Sequence, residues 1–201
     1  LFALRNFVLL LLLPALLTWY LCYRFPQKKL LVIACVYGII IIIFFTSGFI
    51  NHDLNFPAYI INKQNEFKVL GGNSQLKLPS LYPTPGSFIK FLPVAIDIAF
   101  FRPHITETKN FLYLPAIAEN IFLYVLIIYS CYKAFSKRKQ MLFTEPAKAF
   151  LIFCFVFTIS NLLMMGYTVT LTGAIVRYRS FVLPFIIAPL SVFVNINYKK
   201  R

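Results

Sequence analysis

The sequence predicts an all-α protein, a polytopic bundle of transmembrane helices, and three observations carry that prediction. Hydrophobic residues fill 60% of the 201 positions, and the mean hydropathy is +0.76. Charged residues make up 13%, against roughly 25% in soluble domains, so the chain has more apolar surface than one water-facing core can hide. The apolar residues also form unbroken runs such as IIIIIFF, residues 39–45. Backbone groups in hydrocarbon must be satisfied within their own structure, which leaves helices or closed barrels, and barrel strands would alternate polar with apolar residues.

Five stretches approach the ~20 residues that cross a bilayer: 6–23, 30–50, 111–132, 149–167 and 175–194. Pro14 in the first and Pro184 and Pro189 in the fifth are tolerable where neighbouring helices or water satisfy the freed carbonyls. Cys22, Cys35, Cys131 and Cys154 all fall inside apolar stretches without close pairing, which suits helix packing better than disulfides or zinc. The chain opens on Leu1, and its first apolar stretch ends in Trp19, Tyr20 and Tyr23 without an A-x-A-like cleavage site. It therefore reads as a span rather than a signal peptide, and the whole as the C-terminal part of a longer polytopic protein. The N-terminal part of that protein and the lipid bilayer are then the first partners to expect.

The formal charge of +14 would also suit nucleic acid, but the basic residues lie in short tracts flanking the apolar runs, with no basic face carrying stacking aromatics; nucleic acid is set aside as a partner. RFPQKK after the first span, KAFSKRKQMLFTEPAK after the third and NYKKR at the C-terminus share one side of the membrane if the spans alternate. The positive-inside rule makes that side cytoplasmic, the C-terminus with it, and makes the long connection 51–110 extracytoplasmic. Within that connection lie Gly71–Gly72, a turn region LPSLYPTPGS, and FIKFLPVAIDIAFF, which is apolar but too short to span. This last piece predicts an amphipathic helix lying in the outer interface or re-entering toward the bundle.

Four groups of residues carry candidate chemistry. Arg177, Tyr178 and Arg179 begin the fifth span on the outer side, where the positive-inside rule supplies no reason for two arginines. They suit either a clamp for a phosphate, each hydrogen bond to the charged group contributing about 1.5–3 kcal/mol, or a snorkelling anchor around an interfacial tyrosine. Glu119 lies in an apolar segment, where an acid is a functional candidate by default; pairing with Lys109, Arg177 or Arg179 accounts for it as structure. FFRPHITETKN gathers Arg102, His104, Glu107 and Lys109, and the spacing of His104 and Glu107 lets them share a helical face as a weak general-base pair. Asn161, inside the fourth span, is expected to hydrogen-bond to another helix. Phosphate loops, dinucleotide fingerprints, H-E-x-x-H and G-x-S-x-G are absent from the sequence, and the two histidines are too far apart in it to suggest a metal.

Two of these stretches together, FFRPHITETKNFLYLPAIAEN and GAIVRYRSFVLPF, resemble the C-terminal part of large bacterial polytopic membrane proteins of polysaccharide and cell-envelope gene clusters. The matching positions are Arg102, Pro103, Glu107, Asn110, Glu119, Asn120, Gly173, Arg177, Tyr178, Arg179, Pro184 and Phe185, and Phe181 departs from the pattern by standing where a proline or small residue is expected. The second motif also resembles, more loosely, the ending of polyprenyl-phosphate-dependent membrane glycosyltransferases of the GT-C type. Their catalytic carboxylates lie in an early extracytoplasmic loop that this chain does not contain. The resemblance implies a protein of the bacterial inner membrane that handles a lipid-linked sugar on a polyprenyl-phosphate carrier, with no other cofactor evident. Arg177, Tyr178 and Arg179 would engage the lipid phosphate, Glu119 would orient one arginine, and Arg102 would add positive potential. The alternatives are an O-antigen polymerase or ligase, and a non-catalytic transporter or assembly protein; a transporter would show inverted repeats or helices broken within the membrane.

The orientation has a direct test. In a cysteine-free background, Ser80→Cys should react with an impermeant maleimide added to intact cells, and Ser136→Cys only after lysis; the opposite pattern inverts the topology.

Overall fold

The computed structural model describes residues 2–50, 54–71, 75–76, 78–104, 113–136 and 143–194. Among these the chain forms α1 (Phe2–Arg24), α2 (Lys29–Ile50), α3 (Phe56–Leu70), α4 (Pro85–Ile96), α5 (Leu114–Ser136), α6 (Glu145–Thr168), α7 (Thr172–Arg179) and α8 (Leu183–Val194). A 3₁₀ turn, Pro26–Lys28, joins α1 to α2, and a π-helical turn, Asp97–Phe101, continues α4. The extended pairing is limited, among the described residues, to an isolated antiparallel bridge between Gln75 and Leu171, beside which Leu76 N donates to Thr170 O at 2.9 Å. The architecture is an all-α bundle. α1, α2, α5 and α6 are long and apolar enough to cross a membrane, and α7 with α8 makes a fifth if counted as one span.

The fifth span is not the continuous helix expected over 175–194: α7 and α8 meet at 51°. Pro184 supplies the reason, because it has no N–H for the Ser180 carbonyl and its ring crowds that turn. The chain tightens instead, Val182 N donating to Arg179 O at 2.8 Å. It restarts as α8 with Pro184 in the first turn, where the missing N–H is not needed.

α3 was not apparent among the polar residues of the connection. Its local signals are nonetheless present: the Asn55 side chain accepts from Ala58 N at 3.0 Å, Pro57 sits in the first turn, and Gly71 ends the helix at φ 62°, where a side chain would be strained. α4 follows Thr84, whose hydroxyl accepts from Ser87 N, and buries Phe88, Phe91 and Ala95. Its π-helical continuation carries Ile98 and Ala99 into one core with Leu162 of α6 and Ile175 of α7. The end of this element thus packs against α6 and α7.

α6 is the centre of the bundle. Against α1 it presents Cys154 to Ala15 and Ala149 to Cys22, all fully buried. In lipid, helix association depends on close packing, which small residues permit. That packing explains two of the cysteines; Cys35 and Cys131 face outward, and all four are free. Farther along, α6 meets α4 at Gly166, where a Cβ would collide with the Ala95 carbonyl oxygen. Gln64 of α3, 1% exposed, donates to Tyr167 O at 3.0 Å, and the Tyr167 hydroxyl donates to Phe88 O at 2.8 Å, so α3, α4 and α6 are also tied by hydrogen bonds. Leucine, isoleucine and phenylalanine side chains such as Leu13, Ile42, Phe49 and Ile128 remain exposed, as a lipid-facing surface requires.

At the end opposite α3 and α4, Lys29 Nζ lies 2.5 Å and Lys148 Nζ 2.7 Å from the two oxygens of Glu145, which sets the starts of α2 and α6 side by side. The tracts at 137–139 and 197–201, used above for orientation, lie outside the described residues.

The close approach at Gly166 can be tested against Gly38, where a Cβ would meet nothing within 4 Å. Gly166→Val should destabilise the protein by about 1–3 kcal/mol, read as a lower midpoint of thermal unfolding in detergent, and Gly38→Val should leave that midpoint in place.

Candidate functional site

Residues two apart on a helix point about 200° apart, and α7 sorts the arginines accordingly. Arg177 is exposed, whereas Arg179 is 4% exposed. Tyr178, between them, packs its ring edge-on to Phe67 of α3 at 6.4 Å. The two guanidiniums therefore face different surroundings, and one fork made of both is not what α7 presents.

Arg179 is held by two segments far from it in sequence. Its Nη1 donates to Asn120 Oδ1 on α5, and its Nη2 donates at 2.7 Å to the carbonyl of Arg102, just past the π-helical turn. The same carbonyl accepts from Asn120 Nδ2 at 3.3 Å, closing a triangle of guanidinium, amide and peptide oxygen. Half-buried Glu119 contributes a favourable charge to Arg179 through space. Among the described residues, the Arg179 Nε and the hydroxyls of Thr158 and Thr170 are buried without a hydrogen-bond partner. The π-helical turn is anchored one turn deeper on α5, where the Tyr124 hydroxyl donates to Phe100 O at 2.5 Å.

A second polar group adjoins the first. Arg102 Nε donates at 3.0 Å to Asp97 Oδ2, and His104 Nε2 lies 3.2 Å from Asp97 Oδ1. The Arg102–Pro103 peptide is cis. Asp97 was visible in the sequence only as a polar mark on an apolar helix; its signal as a site residue is an acid inside an apolar run, a few positions before an arginine and a histidine. Glu107, the partner expected for His104, lies outside the described residues, as do Lys109 and Asn110. Asn161 differs from expectation: it is buried in α6, but its amide donates at 2.8 Å to Phe157 O one turn back in the same helix, which satisfies it without a neighbour. Interhelical bonds come instead from Ser160, which donates to the Tyr37 hydroxyl at 3.2 Å, and from Gln64.

Beside Arg179 a cavity of about 530 Å³ opens between α5, α6 and α8. Arg179, Asn120 and Tyr124 line one end, and Cys131, Leu151 and Leu190 reach the other; the walls between are apolar, including Ile127, Phe155 and Phe185. From Asn120 to Cys131 the groove follows α5 for about 16 Å, at the 1.5 Å rise of a helix. It joins an apolar surface to a buried cation. Among the described residues, three or more His, Cys, Asp or Glu side chains are nowhere grouped as a metal would need.

The Arg179 triangle makes a double-mutant prediction. Asn120→Leu should cost about 1–3 kcal/mol by leaving a buried charged donor short of an acceptor, and Asn120→Leu with Arg179→Met should recover part of that loss. Arg177→Gln should leave thermal stability unchanged. Unfolding midpoints of the four proteins in one detergent decide between this and a guanidinium that is merely snorkelling. Comparison with protein-family models, with characterised proteins and with solved structures finds no match to this chain.

Proposed function

We propose that this chain is a membrane domain of cell-envelope polysaccharide or glycolipid assembly, and that it engages a sugar linked to a polyprenyl phosphate. The observation that supports this reading most is the buried Arg179 guanidinium at the head of an apolar groove between spans. A charge kept inside apolar segments is a site for an opposite charge by default, and a long hydrocarbon chain ending in phosphate matches both parts of the feature. Arg102 lies next to Arg179 through its carbonyl and adds positive potential, while exposed Arg177 faces outward for a headgroup. In this reading the Lys29, Glu145 and Lys148 end is cytoplasmic in a bacterial inner membrane. α3, α4 and the rest of the 51–110 connection face the extracytoplasmic side, where the sugar is handled.

If the domain transfers sugar, His104 beside Asp97 is a described pair suited to move a proton, since a neighbouring carboxylate fixes an imidazole's orientation. A second reading, in which the protein moves the lipid-linked sugar without transferring it, is favoured by one observation: α7 and α8 form a helix pair broken at the buried arginine. Both readings require the carrier. Full-length protein in nanodiscs should bind a polyprenyl phosphate saturably, and Arg177→Gln with Arg179→Gln should weaken that binding at least tenfold while helicity and elution profile stay the same. Unchanged affinity in the double variant would end the proposal. Sugar transfer to an acceptor in detergent, against movement of the lipid between leaflets in proteoliposomes, separates the two readings.

A further inference from the structure

At the Glu145 end of the bundle, α1 leaves part of its surface uncovered. Leu16, Trp19, Tyr20 and Tyr23 recur at i, i+3, i+4 and i+7, so they form one stripe along the helix. With Pro146, in the first turn of α6, they line an open groove. Trp19 is held as one wall, its ring edge-on to Phe150 at 6.2 Å and tilted against Phe153 at 5.8 Å. Tyr20 and Tyr23 stand 63% and 55% exposed. Among the described residues, their hydroxyls and the Trp19 indole N–H have no hydrogen-bond partner. From Leu16 to Tyr23 the stripe climbs about 10 Å, at the 1.5 Å rise of a helix. Aromatic side chains with a polar tip gather where hydrocarbon gives way to headgroups.

The charges just past this groove are unbalanced. Arg24 ends α1 one turn beyond Tyr20, and Lys28 follows in the 3₁₀ turn; both are exposed. Lys29 and Lys148 share the two oxygens of Glu145, but Arg24 and Lys28 are in no ion pair among the described residues. A second copy paired through this stripe, in the same membrane orientation, would set like cations together. An anionic headgroup removes the imbalance. We infer that the groove seats an anionic phospholipid of the bilayer, one acyl chain lying along Leu16, Trp19, Tyr20 and Tyr23 and the phosphate at Arg24 and Lys28. Basic residues at the bilayer surface attract anionic lipids, whereas a zwitterionic lipid brings an ammonium of its own that opposes the attraction. This site is separate from Arg179, and it does not rest on the binding of a polyprenyl carrier.

Trp19 is the one tryptophan of the sequence and lies in the groove wall, so its fluorescence reads the site directly. Subtracting the emission of Trp19→Phe isolates that signal in the full-length protein. The protein is placed in phosphatidylcholine vesicles with rising fractions of phosphatidylglycerol brominated on its acyl chains, and compared with the same series in brominated phosphatidylcholine. Half-maximal quenching should need at least fivefold less of the anionic lipid, and unlabelled phosphatidylglycerol should relieve it. Arg24→Gln with Lys28→Gln should erase that preference while quenching by brominated phosphatidylcholine persists. Tyr20→Ala with Tyr23→Ala, at positions exposed enough to leave the fold alone, should reduce the preference at least threefold. Circular dichroism should show the same helicity in both double variants. Equal quenching by the two lipids in the wild-type protein, or a full preference in either double variant, would overturn the inference. So would quenching by neither lipid, the result expected where a protein helix covers Trp19.

Discussion

One buried guanidinium sets the terms for this end of the molecule. Stripping a charge of water is expensive, and Arg179 is tolerable inside the bundle only because acceptors are brought to it. Those acceptors come from two places far apart in the chain, the Arg102 carbonyl after α4 and the Asn120 amide near the start of α5. For both to reach it, α4 has to dip toward α6, α5 has to start close by, and α7 has to stop. The π-helical turn at Asp97–Phe101 belongs to the same requirement. It carries the chain into the bundle as irregular backbone, which apolar surroundings permit only where its polar groups are answered. Tyr124 answers Phe100, and Arg179 with Asn120 answers Arg102.

The tight and the loose sides of α6 follow from side-chain size. Toward α1 it meets Ala15 and Cys22, which bring the helices close enough for dispersion to bind them in a solvent as apolar as themselves, and Trp19, whose ring packs on Phe150 and Phe153. Toward α5 and α8 it meets larger groups. Phe185 packs edge-on to Phe157 at 4.7 Å and holds α8 at one point, while the stretch from Thr158 to Leu151 is left lining open space. The same helix is thus a closed interface on one side and a groove wall on the other.

Much of the bundle was legible because lipid reads sequence bluntly. An unbroken run such as residues 39–45 has few alternatives in hydrocarbon, and α1, α2, α5 and α6 lie where such runs are. α3 was harder to see because its apolarity is low; only Asn55, Pro57 and Gly71 mark its ends, and these are local chemistry rather than composition. The site was legible in its members more than in its pairing. Arg179, Arg102, Glu119 and His104 stood out as polar residues at apolar borders, but which arginine turns inward depends on the phase of α7, which the sequence does not state. Asp97 reaches residues five and seven positions later only because a π-helical turn and an extended Arg102 intervene, and no regular period anticipates that. Asn161 shows the reverse: a polar residue in a span suggested a partner helix, and its own helix already offered an acceptor.

The break between α7 and α8 joins these features. A straight helix through residues 172–194 would place the end of α7 and the start of α8 on one axis, and the 51° bend instead turns α8 from the buried arginine onto α5. Ser130 Oγ donating to Leu190 O at 3.5 Å marks where α8 then rests on α5. Between that contact and Arg179 the two helices, with α6 behind them, leave the groove. Pro184 is therefore more than a tolerated irregularity in a span. By ending one helix and starting another it sets a cation at the head of an apolar channel, which neither a continuous fifth span nor a pair of arginines at its mouth would do.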